Sequence, residues 1–207
     1  MARPSDDRTE PLLRPAALLF DMDGTLTQPM LDFPAIKAEM RIGVRPILEA
    51  LAEMSPAERA AAEAILLRHE QRAATESTLN PGCVELLAWA REHRLPTALI
   101  TRNSRASAAI VLSRHDLTFD VLITRETCRF KPHPEPLHTA CRHLAVRESD
   151  AWMIGDGIHD IQAGAAANIP TIWLSHGRPQ SSELTPWRTV TDLWELLRLL
   201  QSSRNRS

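Results

Sequence analysis

The feature that most constrains the fold is a series of short apolar runs, each followed by acidic, glycine or hydroxyl-bearing residues. The first run, AALLF at residues 16–20, ends at Asp21. Four similar runs lie at residues 97–101, 121–124, 151–154 and 171–174. Helical patterns lie between and after them, at residues 84–93, 104–114, 136–144, 158–168 and 192–201. Strands that alternate with helices in this way predict an α/β fold, a three-layer sandwich around a parallel, Rossmann-like sheet.

One long stretch interrupts the alternation. Residues 28–78 carry helix signals and no convincing strand pattern. Ser55, Pro56 and Glu58 match a capping box with proline at the first helical position, and an alanine-rich run follows. A parallel sheet binds its ligand beyond the carboxyl ends of its strands. A helical insert directly after the first strand would therefore lie over that site as a small cap.

The length of 207 residues suits one such domain with an insert. We predict an α/β core of residues 16–27 and 79–207 and a helical cap of residues 28–78. Residues 1–15 mix acidic, arginine and proline residues and resemble neither a signal peptide nor a transit peptide. We expect them to form a loose tail.

Composition argues against several classes of partner. The net charge of −2 gives no basic surface for nucleic acid or anionic lipid. No apolar run has the length of a membrane span. The three cysteines are scattered without C-x-x-C spacing, so we expect reduced thiols in a cytoplasmic protein. Monomer and homodimer remain equally open.

Two carboxylates follow the first predicted strand, in the sequence Asp21-Met22-Asp23-Gly24-Thr25. Residues two apart face the same side of a strand, so both carboxylates can converge on one ligand. Gly24 permits a turn and a close approach of the backbone, and Thr25 offers a hydroxyl and an N–H group to a substrate. Two carboxylates alone would repel a phosphate dianion. A cation must neutralise them, and hard oxygen ligands of this kind suit Mg²⁺.

A second acidic pair follows the fourth run. Asp156 comes one residue after a glycine at the end of that run, and Asp160 lies in the first turn of the next helix. The strand end places Asp156 at the same edge of the sheet as Asp21. Asp160 can then support the site from behind.

Polar groups that can bind a phosphate end the second run and occupy a later loop. Thr101 and Asn103 supply a hydroxyl and successive N–H groups, and Arg102 between them is a further candidate for substrate contact. Lys131, in the loop FKPHP, is one of only two lysines in the chain. Its ammonium can offset negative charge on both a phosphate and a nucleophile.

Four segments together resemble a known family. DMDGTLT, LITRNS, FKPHPEP and GDGIHD occur in this order, and they are similar to the four motifs of the haloacid dehalogenase superfamily of hydrolases. The resemblance spans residues 20–160 and continues, less specifically, to residue 174. The phosphoglycolate-phosphatase-like branch is the most similar, because its helical cap is inserted after the first motif. Four motifs in order at strand ends are a specific signal.

The resemblance implies a Mg²⁺-dependent phosphohydrolase that cleaves a small phosphorylated metabolite. Asp21 would be the nucleophile that forms an aspartyl-phosphate, and Asp23 would protonate the leaving oxygen and then activate water. Thr101 would bind the phosphoryl group and Lys131 would stabilise its charge. The implied Mg²⁺ ligands are the Asp21 side chain, the Asp23 carbonyl and the Asp156 side chain, with Asp160 in support.

Three other functions on the same fold remain open. A phosphomutase would share all four motifs and convert its substrate without releasing phosphate. An enzyme similar to phosphonoacetaldehyde hydrolase would use a cap lysine, here Lys37, although such enzymes typically lack an acid at the position of Asp23. A binding or regulatory module would keep the fold without turnover, which the intact Asp21, Asp23, Lys131 and Asp156 argue against. Substrate identity is set mainly by cap side chains, which match no specific pattern.

Overall fold

Six strands form one parallel sheet in the computed structural model, which describes residues 14–181 and 185–204. The strands are β1 (Ala17–Phe20), β2 (Thr97–Ile100), β3 (Val121–Ile123), β4 (Ala151–Gly155), β5 (Thr171–Leu174) and β6 (Arg188–Val190). Their order across the sheet is β3-β2-β1-β4-β5-β6, and all neighbouring pairs are parallel. This is the Rossmann-like order, so the predicted α/β fold is confirmed. Most of the predicted N-terminal tail, residues 1–13, lies outside the described residues.

The sixth strand was not predicted. β6 is only three residues long, and Arg188 and Thr189 are exposed while Val190 is buried. It lies at the edge of the sheet, beside β5. An edge strand with one buried side chain leaves no apolar run in the sequence, because burial on both faces is what produces such a run.

The described residues contain eight α-helices and a short 3₁₀ turn at Glu148–Asp150. The helices are α1 (Phe33–Met40), α2 (Ile47–Glu53), α3 (Pro56–Glu76), α4 (Cys83–Glu92), α5 (Arg105–Arg114), α6 (Glu135–Leu144), α7 (Ile158–Ala167) and α8 (Leu193–Arg204). The last five correspond to the five helices predicted between and after the strands. None of the described helices is long and apolar enough to cross a membrane.

Alternate residues of β1 build the cores on the two faces of the sheet. Leu18 and Phe20 belong to one apolar cluster, which α4, α5 and α8 cover, and Ala17 and Leu19 belong to another, which α6 and α7 cover. All four side chains are 0% exposed. Because successive side chains of a strand point to opposite faces, four consecutive apolar residues indicate a strand buried on both sides.

The carboxyl ends of three strands, β1, β2 and β4, meet at the point where the strand order reverses. Phe20, at the end of β1, is in register with Leu99 of β2 on one side and Ile154 of β4 on the other. The chain proceeds from β1 through β2 to β3 and then returns to β4 on the other side of β1. Such a reversal opens a crevice beyond the strand ends, where α/β proteins bind ligands.

Helices α1, α2 and α3 form the helical insert, our name for residues 28–78. They share an apolar cluster of their own, which includes Ile36, Leu48 and Leu66. Helix α3 begins at the predicted capping box: the Ser55 Oγ accepts the Glu58 N–H at 3.5 Å, and Glu58 accepts the Ser55 N–H at 3.1 Å. A separate core of this kind is what a small cap requires to keep its own shape.

Two ion pairs join the helical insert to the rest of the molecule. Glu49 of α2 accepts two hydrogen bonds of 3.0 Å from Arg102, one on each carboxylate oxygen. Glu70 of α3 pairs with Arg125, and α3 also packs against α5. The helical insert therefore lies directly over the carboxyl ends of the strands.

Candidate active site

The strand ends bring most of the predicted site residues to one cavity of about 470 Å³. The Asp21 N–H, just after β1, donates to the Ile154 carbonyl of β4 at 2.9 Å, and the Thr101 N–H, just after β2, donates to the Ile123 carbonyl of β3 at 2.9 Å. The sheet hydrogen bonds thus continue one residue past each strand. Eight predicted residues line the cavity: Asp21, Asp23, Thr101, Arg102, Asn103, Lys131, Asp156 and Asp160.

Lys131 is almost completely buried at the centre of the site. Its Nζ lies 2.7 Å from the Asp21 Oδ1, 2.7 Å from the Asp160 Oδ1 and 2.6 Å from the Ile100 carbonyl oxygen. Three acceptors match the three protons of an ammonium group. Burial lowers the pKa of Lys131, but the carboxylates of Asp160 and Asp21 outweigh burial and raise it above its usual value. Lys131 is therefore a permanent cation beside Asp21.

Three carboxylates form a compact group next to this cation. Asp21, Asp156 and Asp160 each offer an oxygen within 4.8 Å of the others. Burial, followed by Asp160 and Asp156, raises the pKa of Asp21 well above its usual value despite Lys131. Burial and then Asp160 also raise the pKa of Asp156. The group holds more negative charge than the neighbouring cations neutralise, and its oxygens are of the type that a hard divalent ion such as Mg²⁺ prefers.

This group differs in one member from the predicted metal ligands. Asp160, predicted only to support the site, contributes a carboxylate oxygen to it and is also paired with Lys131. The Asp23 carboxylate is not part of it, which leaves the backbone carbonyl as the predicted contribution of Asp23. The residues present therefore fit a Mg²⁺ site.

Asp23 has the surroundings of an acid–base group. Its Oδ2 accepts a hydrogen bond of 2.7 Å from the Asn103 Nδ2. Burial, followed by the negative charge of Glu70, raises its pKa from 3.8 to about 6. A carboxyl group with a pKa near the working pH can both donate and accept a proton in a catalytic cycle.

The segment after β2 is held by its own hydrogen bonds. The buried Thr101 Oγ1 accepts the Asn103 N–H at 3.0 Å. Arg102 lines the cavity, but its guanidinium is engaged by Glu49 and by the Lys131 carbonyl, and it lies 4.9 Å from the centre of the Phe130 ring. Arg102 therefore links the helical insert to the loop that carries Lys131.

Gly24 and Thr25, predicted to bind substrate, do not line the cavity. The Thr25 N–H donates to the Met22 carbonyl at 3.2 Å, and the Thr25 side chain is 0% exposed. Gly24 has a φ of +80°, and a Cβ there would lie 2.6 Å from the Asp156 carboxyl carbon. The turn after Asp23 curls back under the strand end. It uses the Thr25 N–H in an internal hydrogen bond and buries the Thr25 hydroxyl, which has no hydrogen-bond partner among the described residues. Gly24 instead leaves room for Asp156.

Three residues that support this site carry no sequence signal. The buried Asn80 Nδ2 donates to the carbonyls of Gly24, Thr25 and Thr27 at 3.2, 2.9 and 3.1 Å. The His176 Nε2 lies 2.6 Å from the Gly24 carbonyl oxygen. These contacts fix the turn from outside the cavity, and they join positions far apart in the chain.

Arg178 is the third residue that supports the site without a signal in the sequence. Its Nη2 lies 3.1 Å from the Asp156 Oδ2, 3.0 Å from the Asp156 carbonyl oxygen and 3.3 Å from the Leu174 carbonyl oxygen. The Trp173 Nε1 donates to the same Asp156 carbonyl at 3.0 Å. Arg178 thus holds the Oδ2 of Asp156, and no hydrogen bond from the described residues occupies the Asp156 Oδ1, which can contact a ligand.

The raised pKa of Asp23 predicts a pH-dependent stability of the metal-free protein. A group whose pKa is higher in the folded state stabilises below its unfolded pKa, here 3.8, and loses that stabilisation as the pH rises through about 6. Relative to Asp23→Asn, the free energy of unfolding of the wild type should fall by up to about 3 kcal/mol between pH 4 and pH 7. Urea denaturation in EDTA across this range measures it. Parallel pH profiles for the two proteins would contradict the raised pKa.

Comparisons with known proteins agree on one family. Residues 36–174 match the family model described as haloacid dehalogenase-like hydrolase. The chain is 27% identical over 223 residues to a phosphoglycolate phosphatase of Nitrosococcus oceani, which covers 93% of this chain and 99% of that protein. It is 30% identical over 189 residues to an N-acetylmuramic acid 6-phosphate phosphatase of Pseudomonas aeruginosa, covering 80% and 84%. A hydrolase from Pseudomonas syringae has the same fold, with a TM-score of 0.77, 21% identity, and coverage of 90% of this chain and 98% of that one.

Proposed function

The chain belongs to the haloacid dehalogenase-like hydrolase family and is a phosphatase, and we propose that it hydrolyses a small phosphomonoester with Mg²⁺ through an aspartyl-phosphate. The observation that carries this proposal is the position of Asp21. Its carboxylate lies at the end of β1, lines the cavity and is 2.7 Å from the Lys131 ammonium. A carboxylate held beside a fixed cation can attack phosphorus in a covalent step.

The surrounding groups would divide the work of phosphoryl transfer. The Lys131 ammonium would offset charge on the phosphoryl oxygens as Asp21 attacks, and Thr101 and Asn103 would orient those oxygens. Asp23 would hold a proton for the leaving oxygen and then take a proton from the water that cleaves the aspartyl-phosphate. The pKa of about 6 supports both roles near neutral pH.

Asp21, Asp156 and the Asp23 carbonyl would hold Mg²⁺, and Asp160 would support it. When bound, the ion supplies positive charge that offsets the carboxylates and the phosphate dianion. The raised pKa values of Asp21 and Asp156 support this role, because both groups lie where a further positive charge would be stabilising. Arg178 would keep Asp156 in place for it.

We propose that the helical insert, residues 28–78, acts as a cap on a core of residues 16–27 and 79–207. Its residues supply one wall of the cavity, opposite the strand ends. A cover of this kind excludes water and contacts the leaving group. We also propose a cytoplasmic location, because Cys83, Cys128 and Cys141 are all free thiols.

The proposal is tested by phosphate release. We expect the protein to release phosphate from p-nitrophenyl phosphate and from a panel of phosphorylated metabolites when Mg²⁺ is present. EDTA should lower the rate by at least about 10²-fold, because uncompensated carboxylates repel the substrate dianion, and added Mg²⁺ should restore it. Full activity without metal would contradict the role of the ion. Conversion of a substrate without phosphate release would indicate a phosphomutase, and no conversion of any substrate would indicate a binding module.

A further inference from the structure

The helical insert gives the cavity a largely apolar wall. Six of the side chains that line this wall are Met30, Leu31, Phe33, Ile47, Leu48 and Leu66. Two of them are partly exposed, Met30 to 42% and Phe33 to 51%, although both are large and apolar. A cavity of about 470 Å³ has room for a leaving group as well as a phosphate. The leaving group would therefore contact apolar surface.

The helical insert adds only two polar side chains to this cavity within the described residues, Lys37 and Glu70. Glu70 is 2% exposed and already engaged. It pairs with Arg125, and its Oε2 accepts hydrogen bonds from the Ser104 N–H at 3.2 Å and the Ser107 hydroxyl at 3.4 Å. Lys37 is thus the polar side chain of this wall that a substrate can engage.

Lys37 also differs from the other cations of the cavity. Lys131 is paired with Asp21 and Asp160, and Arg102 is paired with Glu49. The Lys37 Nζ donates to the Val44 carbonyl at 3.2 Å, and no carboxylate of residues 14–181 or 185–203 forms an ion pair with it. Within the described part of the chain, this positive charge has no carboxylate partner.

From this wall we infer the substrate class of the proposed phosphatase: a phosphate monoester whose leaving group combines an apolar body with an anionic group that pairs with Lys37. Lys37 is then a specificity-determining residue. This inference rests on the proposed phosphatase function, which accounts for the phosphate end of the substrate; Lys37 and the apolar wall concern the leaving group alone. A sugar phosphate would place its ring hydroxyls against apolar side chains of this wall, which offer them no hydrogen bonds, so this wall favours a less polar leaving group.

The test compares phenyl phosphate with 4-carboxyphenyl phosphate, which differ by one carboxylate. We expect the ratio of kcat/KM for the carboxylated over the plain ester to fall about 5- to 10-fold in Lys37→Gln, mainly through KM, because one partly exposed ion pair is lost. Lys37→Arg keeps the charge and should restore most of the ratio. Arg41→Gln is the matched control, since Arg41 follows α1, is exposed and does not line the cavity, and its ratio should equal that of the wild type.

Each outcome decides a separate statement. If the ratio of kcat/KM for 4-carboxyphenyl phosphate over phenyl phosphate is the same in Lys37→Gln as in the wild type, the role of Lys37 is wrong. A higher kcat/KM for glucose 6-phosphate than for both aryl esters would overturn the apolar class. Failure of the wild type with Mg²⁺ to release phosphate from these three esters and from the whole panel of phosphorylated metabolites would instead overturn the proposed function, whereas release from the panel but from neither aryl ester would overturn the apolar class. Unchanged KM for phenyl phosphate in Lys37→Gln shows that the variant keeps its cavity.

Discussion

Asp21→Asn should lower phosphate release from every substrate by at least about 10³-fold, because an amide cannot replace a carboxylate as the nucleophile. The loss should not depend on the leaving group, since the bond to phosphorus no longer forms. Steady-state kinetics with p-nitrophenyl phosphate measures it, and circular dichroism checks that the variant is folded. A rate within tenfold of the wild type would show that Asp21 is not the nucleophile.

Asp23→Asn is the matched control, two residues away in the same cavity. p-Nitrophenol leaves without protonation, so this variant should keep the first step better than the second. General acid–base groups contribute about 10²–10⁴-fold, enough to make cleavage of the aspartyl-phosphate limiting. We expect a burst of p-nitrophenol near one equivalent per enzyme and then slow turnover, with hydroxylamine releasing the trapped phosphate. Wild-type turnover without a burst would refute the role of Asp23 as the base.

Lys131→Met should affect stability and activity together. Lys131 is 1% exposed and contacts the carboxylates of Asp21 and Asp160 at 2.7 Å each. Removing one partner of a buried ion pair leaves an uncompensated charge, which typically costs about 3–5 kcal/mol. The free energy of unfolding should fall by this amount near pH 7, and kcat should fall because the phosphoryl charge loses its cation.

The pH dependence of this loss has a definite sign. Without Lys131, the pKa of Asp21 should rise further above its already raised value. A raised folded pKa means that stability is lost as the pH rises, so the deficit relative to the wild type should shrink as the pH falls towards about 4. Urea denaturation of the metal-free proteins measures it. Lys37→Met, which removes the only other lysine, is the control and should lose far less stability because Lys37 is half-buried and has a carbonyl partner. Equal losses in the two variants would contradict the argument.

The fold and the placement of the main acidic residues could be predicted because they depend on local pattern. Four consecutive apolar residues before Asp21 indicate a strand buried on both faces, and the same holds before Asp156. Parallel strands share one carboxyl edge, so residues that follow neighbouring strands must lie together. The same rule places Thr101, which directly follows β2, at this edge of the sheet beside Asp21 and Asp156. β6 was not predicted because a strand with one buried side chain does not produce a run of apolar residues in the sequence.

The path of the chain beyond a strand end could not be predicted in this way. Thr25 was expected to face a substrate, but the turn buries it and uses its N–H internally. From the sequence, Lys37 could be interpreted only as the cap lysine that an enzyme similar to phosphonoacetaldehyde hydrolase would use, and the fold of the helical insert then placed it in the cavity. Both outcomes depend on how one segment packs against another rather than on the segment itself.

By itself, the sequence determined which residue types follow each buried strand, and therefore which carboxylates and which hydroxyl meet at the edge of the sheet. Only the tertiary structure decided how their charges are compensated. Lys131 reaches Asp21 across 110 positions, and Arg178 reaches Asp156 across 22. Electrostatic energy depends on distances of a few ångströms and on burial. Those quantities are set by the packing of elements that are remote in the chain, and no local pattern of residues records them.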